Sequence, residues 1–167
     1  DRLLSKNRIF ADRMCDIGVI SAEEAVAYGL TGPLLRASGV NYDVRKAFPY
    51  SGYDRYEFEV PLGRKGDNFD RFDVRLREIY QSMSIVEQAL KRLPEGPVNI
   101  DDPHVIMPPK DEVYSSIEGM ISQFEIVFNG VMPPPGDVYF PVEGGNGELG
   151  FYVVSDGTGK PYRVRVR

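Results

Sequence analysis

The stretch from Asn68 to Leu93 restricts the fold more than any other part of the chain. Phe69, Phe72, Leu76, Ile79, Met83, Val86, Leu90 and Leu93 recur at steps of 3, 4, 3, 4, 3, 4 and 3. That is the spacing of one continuous stripe on an α-helix. At 1.5 Å per residue such a helix spans roughly 35–40 Å. Asp70, Arg71, Asp73, Arg75, Glu78, Glu87, Lys91 and Arg92 fall off the stripe, which predicts a face that is wet or set against a polar partner. A second stripe, Val113, Ile117, Met120, Phe124, Val127 and Val131, steps 4, 3, 4, 3 and 4. Two stripes of matching period predict a core made by an antiparallel helix pair.

A length of 167 residues suits one domain with a real core. The formal net charge of -5, with no basic patch interleaved with aromatics, argues against a nucleic-acid partner. No apolar run reaches the length of a membrane span, and no signal-peptide pattern opens the chain. Cys15 is the sole cysteine and His104 the sole histidine. Within this chain that excludes a disulfide framework and any Cys-rich or His-cluster metal site, and it favours a reducing, cytosol-facing location. The sequence opens at Asp1 inside a helical pattern and stops at Arg167 inside a strand pattern. The expectation is a single domain excised from a longer subunit, mainly helical over 1–131 and a β-hairpin region over 137–167. Its class is α+β.

Residues 2–16 read as a first helix, with Leu3, Phe10, Met14 and Ile17 on one face and Gly18 closing it. Cys15 reads as a small buried apolar residue. Ser21-Ala-Glu-Glu is a capping-box pattern in which Ser21 and Glu24 exchange bonds. Thr31 is placed to cap a further short helix, with Pro33 in its first turn. Residues 40–54 lack a period, and their aromatics Phe48, Tyr50 and Tyr53 predict an ordered loop. Tyr56–Val60 alternates as a half-buried strand would. Asp67 or Asn68 caps the long helix. Five prolines between Pro94 and Lys110 make that connection extended, and His104 within it reads as an exposed loop residue. Strands follow over 138–143, 148–155 and 162–167, with a turn at Asp156-Gly157-Thr158-Gly159. The last strand puts Arg163, Arg165 and Arg167 on one face. These repel unless acids or an anion lie opposite, so the face is either solvated, salt-bridged within the domain, or an interface.

A self-contained active site is not visible. Gly144-Gly145-Asn146-Gly147 joins two strands and lacks the helix and Lys-Ser/Thr of a phosphate loop. Adjacent acids such as Glu23-Glu24 and Asp101-Asp102 face apart on a helix.

Longer strings are more specific. Asn7-Arg8-Ile9-Phe10, Asp16 to Ala25, Thr31-Gly32-Pro33, Leu35 to Gly39, Arg45-Lys46 with Pro49-Tyr50, and Gly66-Asp67 come in order. So do Asp70-Arg71, Val74-Arg75 with Glu78, Pro134-Pro135-Gly136, Gly147 to Gly150, and Val154 to Gly157 with Pro161-Tyr162-Arg163. Together they resemble the D subunit of respiratory NADH:quinone oxidoreductase (complex I), a family similar in fold to the large subunit of nickel–iron hydrogenases. The resemblance covers essentially the whole chain. It implies a helical bundle with a small antiparallel sheet, in the quinone-reducing module of an enzyme that couples electron transfer from NADH to quinone with proton translocation. It also implies a neighbouring subunit carrying an iron–sulfur cluster, other complex subunits as partners, and a peripheral position on the cytoplasmic side of the inner membrane.

The family's quinone head-group histidine and tyrosine precede the stretch resembled here, and His104 is not that histidine. Catalytic, cofactor-binding and metal-ligating residues are therefore expected outside this chain, which binds none of the cofactors itself and is inactive alone. One departure stands out: the family's Glu-Ala-Pro-Lys or Arg is here Glu143-Gly144-Gly145-Asn146, without the proline and the cation. For the matching charges, the expectation is ion pairing at Glu23, Glu24, Arg36 and Arg45. Arg36, with Glu23 or Glu24 as acceptor, and Arg45 would hold loop 40–54 against the helices; exposure of both arginines is the alternative. Two other readings stay open. One is a hydrogenase-like large subunit, whose Cys-Xaa-Xaa-Cys pairs would lie beyond this stretch, although Asp16–Ala25 and Asp156–Arg163 favour the quinone enzyme. The other is a stand-alone helical scaffold.

Overall fold

The computed structural model describes residue 4 and residues 6–167; the parts of the first helix expected at residues 2, 3 and 5, Leu3 included, lie outside the described residues. Among the described residues, seven α-helices precede a small three-stranded antiparallel sheet, an α+β chain. The chain forms two compact units, one of residues 1–93 with 141–149, the other of residues 94–140 with 150–167.

In the first unit, α1 (Arg8–Met14) is capped by Asn7, whose side chain accepts from the Ile9 and Phe10 amides. It ends before Asp16 and Gly18, both at positive φ. Helix α2 (Ala22–Ala27) starts at Ser21 with the full reciprocal box to Glu24, a device worth about 1 kcal/mol. Helix α3 (Gly32–Ala37) carries Pro33 in its first turn, but Thr31 makes no side-chain cap. Its hydroxyl instead accepts from the Glu148 amide at 3.1 Å. The 40–54 loop contains a further short helix, α4 (Val44–Ala47), and a 3₁₀ turn over Tyr53–Arg55. Tyr50 and Tyr53 stack edge-on at 5.0 Å, while Phe48 is exposed.

Tyr56–Val60 is extended but pairs with no strand among the described residues, contrary to expectation. Glutamines of the long helix take the place of a ladder. Gln88 Oε1 accepts from Glu57 N at 3.0 Å and its Nε2 donates to the Glu57 carbonyl at 2.7 Å. Gln81 Oε1 accepts from Glu59 N at 3.1 Å.

Helix α5 (Asn68–Lys91) begins at Asp67, which caps it through the Asp70 amide. The front of its apolar stripe is half-buried, with the Phe10 ring 5.0 Å from Phe72. The rest is not core: Ile79, Met83, Val86 and Leu90 are 57–69% exposed. The buried residues of α5 are Val74 and Ile85, and with Glu78, Gln81 and Gln88 they form a face about 200° around the helix from the stripe, since each stands two residues from a stripe position. The side off the stripe, expected to be wet or set against a polar partner, is thus the one that packs.

In the second unit the expected single helix over 113–131 is broken. Helix α6 (Lys110–Ser115) stops at Ser116, which is extended and caps α7 (Ile117–Phe124) through the Gly119 amide. A π turn follows over Glu125–Asn129, stacking Phe124 on Phe128 at 5.4 Å. The second stripe is also exposed, at Ile117, Met120, Phe124, Val127 and Val131. The strands β1 (Gly136–Gly144), β2 (Gly147–Ser155) and β3 (Arg163–Val166) lie in that order. Among the described residues no helix is long and apolar enough to cross a membrane.

Candidate functional site

Arg36 is the largest fully buried side chain among the described residues, 1% exposed. A guanidinium removed from water requires partners at its donors, and three elements supply them. Helix α5 brings Glu78, whose Oε1 accepts from Arg36 Nε at 2.6 Å. The tip of the β1–β2 hairpin brings Glu143, whose Oε1 accepts from Nη2 at 2.7 Å. The segment before α4 offers the Tyr42 carbonyl to Nη1 at 3.0 Å, with Asp43 Oδ2 3.8 Å away.

The acids are held in turn. Glu143 Oε2 accepts from Val44 N at 3.4 Å, and the Glu143 amide donates to Tyr50 Oη at 3.0 Å. Asp43 is gripped from both sides by Arg45, through Nη2 at 2.7 Å and Nε at 3.0 Å. The Arg45 guanidinium lies 4.8 Å from the Phe58 ring centre, a cation–π contact. Tyr42 Oη donates to Glu148 at 3.1 Å.

The hairpin tip reaches these groups because Gly147 sits against Thr31 and Gly32. A Cβ on Gly32, already at φ +66°, would meet Gly147 Cα at 2.2 Å. Only glycine accommodates both the left-handed backbone and that approach.

Burial alone would raise the Asp43 carboxyl. The hydrogen bonds and charge of Arg45 and the charge of Arg36 outweigh it and hold Asp43 below the usual carboxylate range. Burial likewise opposes the charged form of Arg45, but Asp43 and the charges of Glu143 and Tyr53 raise it. The result is a hub of fixed charge in which two guanidinium groups and three carboxylates hold α3, α4, α5 and the hairpin tip together. With every acid bonded to a permanent cation or an amide, its chemistry is that of a clamp.

Arg36 and Arg45 were expected in ion pairs, and both are brought into this hub. Glu23 and Glu24 are not. Glu24 is committed to the capping box, where its carboxylate accepts from the Ser21 amide at 3.0 Å, and Glu23 is exposed in the first turn of α2. The acceptors that the sequence reading missed are Glu78, Glu143 and Asp43. Each carried a signal: Glu78 and Glu143 lie in or beside the matched strings, and Asp43 stands two residues before Arg45.

A further carboxylate, outside the hub, is held by backbone amides. Asp70 Oδ2 accepts from the amides of Arg64, Lys65 and Gly66 at 2.8, 2.6 and 3.2 Å. Burial pushes its carboxyl up, and the three amides, with the charge of Arg77, bring it below its ordinary value. His104 is exposed, with Nδ1 3.0 Å from Asp102 Oδ1. Cys15 is half-buried.

The family model of the respiratory-chain NADH dehydrogenase 49 kDa subunit matches residues 1–167. The chain is 58% identical to the D 1 subunit of the NADH-quinone oxidoreductase of Sorangium cellulosum, over 100% of this chain and 42% of that protein. It is 54% identical to the corresponding D subunit of Myxococcus xanthus, over 99% of this chain and 40% of that protein. For the D subunit of Flavobacterium psychrophilum the identity is 51%, over 100% of this chain and 41% of that protein. The chain thus spans about two fifths of the length of the curated relatives it matches.

Proposed function

The chain belongs to the family of the respiratory-chain NADH dehydrogenase 49 kDa subunit, and from that premise we propose that it is a structural portion of the quinone-reducing module of an NADH:quinone oxidoreductase. The match along all 167 residues carries the reading. In it, NADH and quinone are substrates of the whole complex, whose electron transfer is coupled to proton translocation. The partners are the other subunits, above all the one holding an iron–sulfur cluster. The quinone site lies mostly outside this stretch, and the complex stands peripherally on the cytoplasmic side of the membrane.

The Arg36 hub supports this role. Ionic contacts among α3, α4, α5 and the hairpin tip fix backbone positions without committing any of these groups to proton transfer. Glu23, exposed in the first turn of α2, remains available as an interface charge in the assembled complex, while Glu24 serves the capping box. The chain acts as one piece of a longer subunit, and the hub is its rigid part.

A domain exchange tests the reading. The matching stretch of the Myxococcus xanthus relative is replaced by residues 1–167 in a strain lacking the native gene. Membranes with inhibitor-sensitive NADH:quinone reductase activity are the expected result. An assembled complex that consumes hydrogen instead, or a chimera that is stable but never enters a complex, overturns it.

A further inference from the structure

We propose that the outer edge of β3 docks an extended acidic segment of a protein partner by adding it as a further strand. Strand β3 lies at the end of the sheet order, and residues 163–166 are all exposed. Its register opposite β2 pairs Val154 with Arg163, Val153 with Val164, Tyr152 with Arg165 and Phe151 with Val166. Gly150 and Arg167 exchange both backbone bonds, at 3.0 and 2.9 Å. Antiparallel alternation then turns the backbone groups of Arg165 toward β2 and those of Val164 and Val166 outward. The outward groups are a template for another strand.

The side chains define which strand. Arg163 and Arg165 share one face with Tyr152 and Val154; Val164 and Val166 share the other with Phe151 and Val153. Residues 160–167 contain Lys160, Arg163, Arg165 and Arg167 and no acid, in a chain whose net charge is -5. Asp137 of β1 is bonded to Tyr152 Oη at 3.0 Å. The guanidinium groups repeat every second residue, about 6.6 Å along the strand. An added strand has the same repeat, so Glu or Asp at alternate positions meets each arginine while apolar residues meet the valines. A second copy of β3 would set arginine against arginine and is disfavoured. The backbone groups at the edge serve a polypeptide and not a lipid headgroup, which favours a protein over an anionic membrane. The inference rests on the sheet alone and is independent of the quinone reading.

The experiment uses the full-length subunit that contains this chain. A labelled (Glu-Val)4 peptide, a (Lys-Val)4 peptide and phosphatidylglycerol vesicles are the probes. The acidic peptide is expected to bind in a salt-dependent way and the basic one not. R163E/R165E is expected to weaken acidic-peptide binding by about tenfold or more, from the modest value of each exposed pair. Val166→Pro removes one outward donor while leaving both arginines, and is expected to weaken binding too; Val164→Pro provides the same deletion if the first variant loses its circular-dichroism spectrum. Failure of the acidic peptide to bind overturns the proposal, as does binding that ignores R163E/R165E. So does binding that ignores the proline variants, or a charge-dependent preference for vesicles over the acidic peptide.

Discussion

At Arg36, substitution should separate a clamp from an ordinary ion pair. Arg36→Gln leaves Glu78 and Glu143 facing each other with their cation gone, in a site where Arg36 is 1% exposed. Removing one partner of a buried pair costs about 3–5 kcal/mol, so urea unfolding of the variant should move by an amount in that range. Arg36→Lys should recover little. An ammonium cannot present the separate Nε, Nη1 and Nη2 donors that reach Glu78, the Tyr42 carbonyl and Glu143. A lysine variant as stable as the parent would show that charge, and not the fork, holds the site. Acid titration reads Asp43 of the hub and the amide-held Asp70 together. Asp43 and Asp70 both have carboxyls held below their ordinary values. A group lowered in the folded state contributes its full share above the unfolded value and loses it as pH falls through the folded value. The unfolded value is about 3.9, so thermal stability should drop below about pH 4. D43N/D70N should have a lower melting temperature at neutral pH and a flatter fall in acid. A variant as steep as the parent places the acid sensitivity elsewhere.

Helix α5 reverses a usual inference about elements. Its period of 3 and 4 identifies the helix and very nearly its ends, Asn68–Lys91 against an expected 68–93. The same period assigns the wrong face to the interior. Stripe residues Met83 and Leu90 are 63% and 69% exposed, while Val74 and Ile85 on the opposite face are buried. The opposite face was hard to read because its contacts are polar, Glu78 to Arg36 and the two glutamines to an extended backbone, and hydropathy counts such residues as surface. The break at Ser116 was hidden for a related reason: a serine cap competes with helix propagation locally without disturbing the apolar spacing. Caps whose chemistry is contained in a few residues, Ser21 with Glu24 and Asp67, were legible. Those with distant partners, Thr31 with Glu148, were not. With the stripe exposed, M83K/V86K should reduce hydrophobic-dye binding and self-association of the isolated chain and leave its melting temperature within about 2 °C, since surface changes stay within ~0.5 kcal/mol. A large loss of stability would mean that the stripe is core.

For the whole molecule, the strongest expectation is that the isolated chain performs no turnover. Quinone reduction requires an electron donor beside a quinone and groups able to deliver protons to it. This sequence holds one cysteine and one histidine, and His104 stands exposed against Asp102. Its most organised polar cluster ties each carboxylate to a guanidinium or an amide, the arrangement of a clamp. It also spans about two fifths of the length of its relatives. Purified residues 1–167, mixed with NADH and a short-chain quinone, should therefore leave the NADH absorbance unchanged over hours, and pre-reduced quinone should not be reoxidised faster than in buffer. The same stretch within the chimeric protein should support reduction, and Arg36→Gln there should lower the amount of assembled complex more than the turnover of each complex that forms. Catalysis by the pure chain would put the reacting groups inside it. Turnover per assembled complex falling in step with Arg36 loss would make the hub a positioning device for the reaction as well as a clamp for the fold.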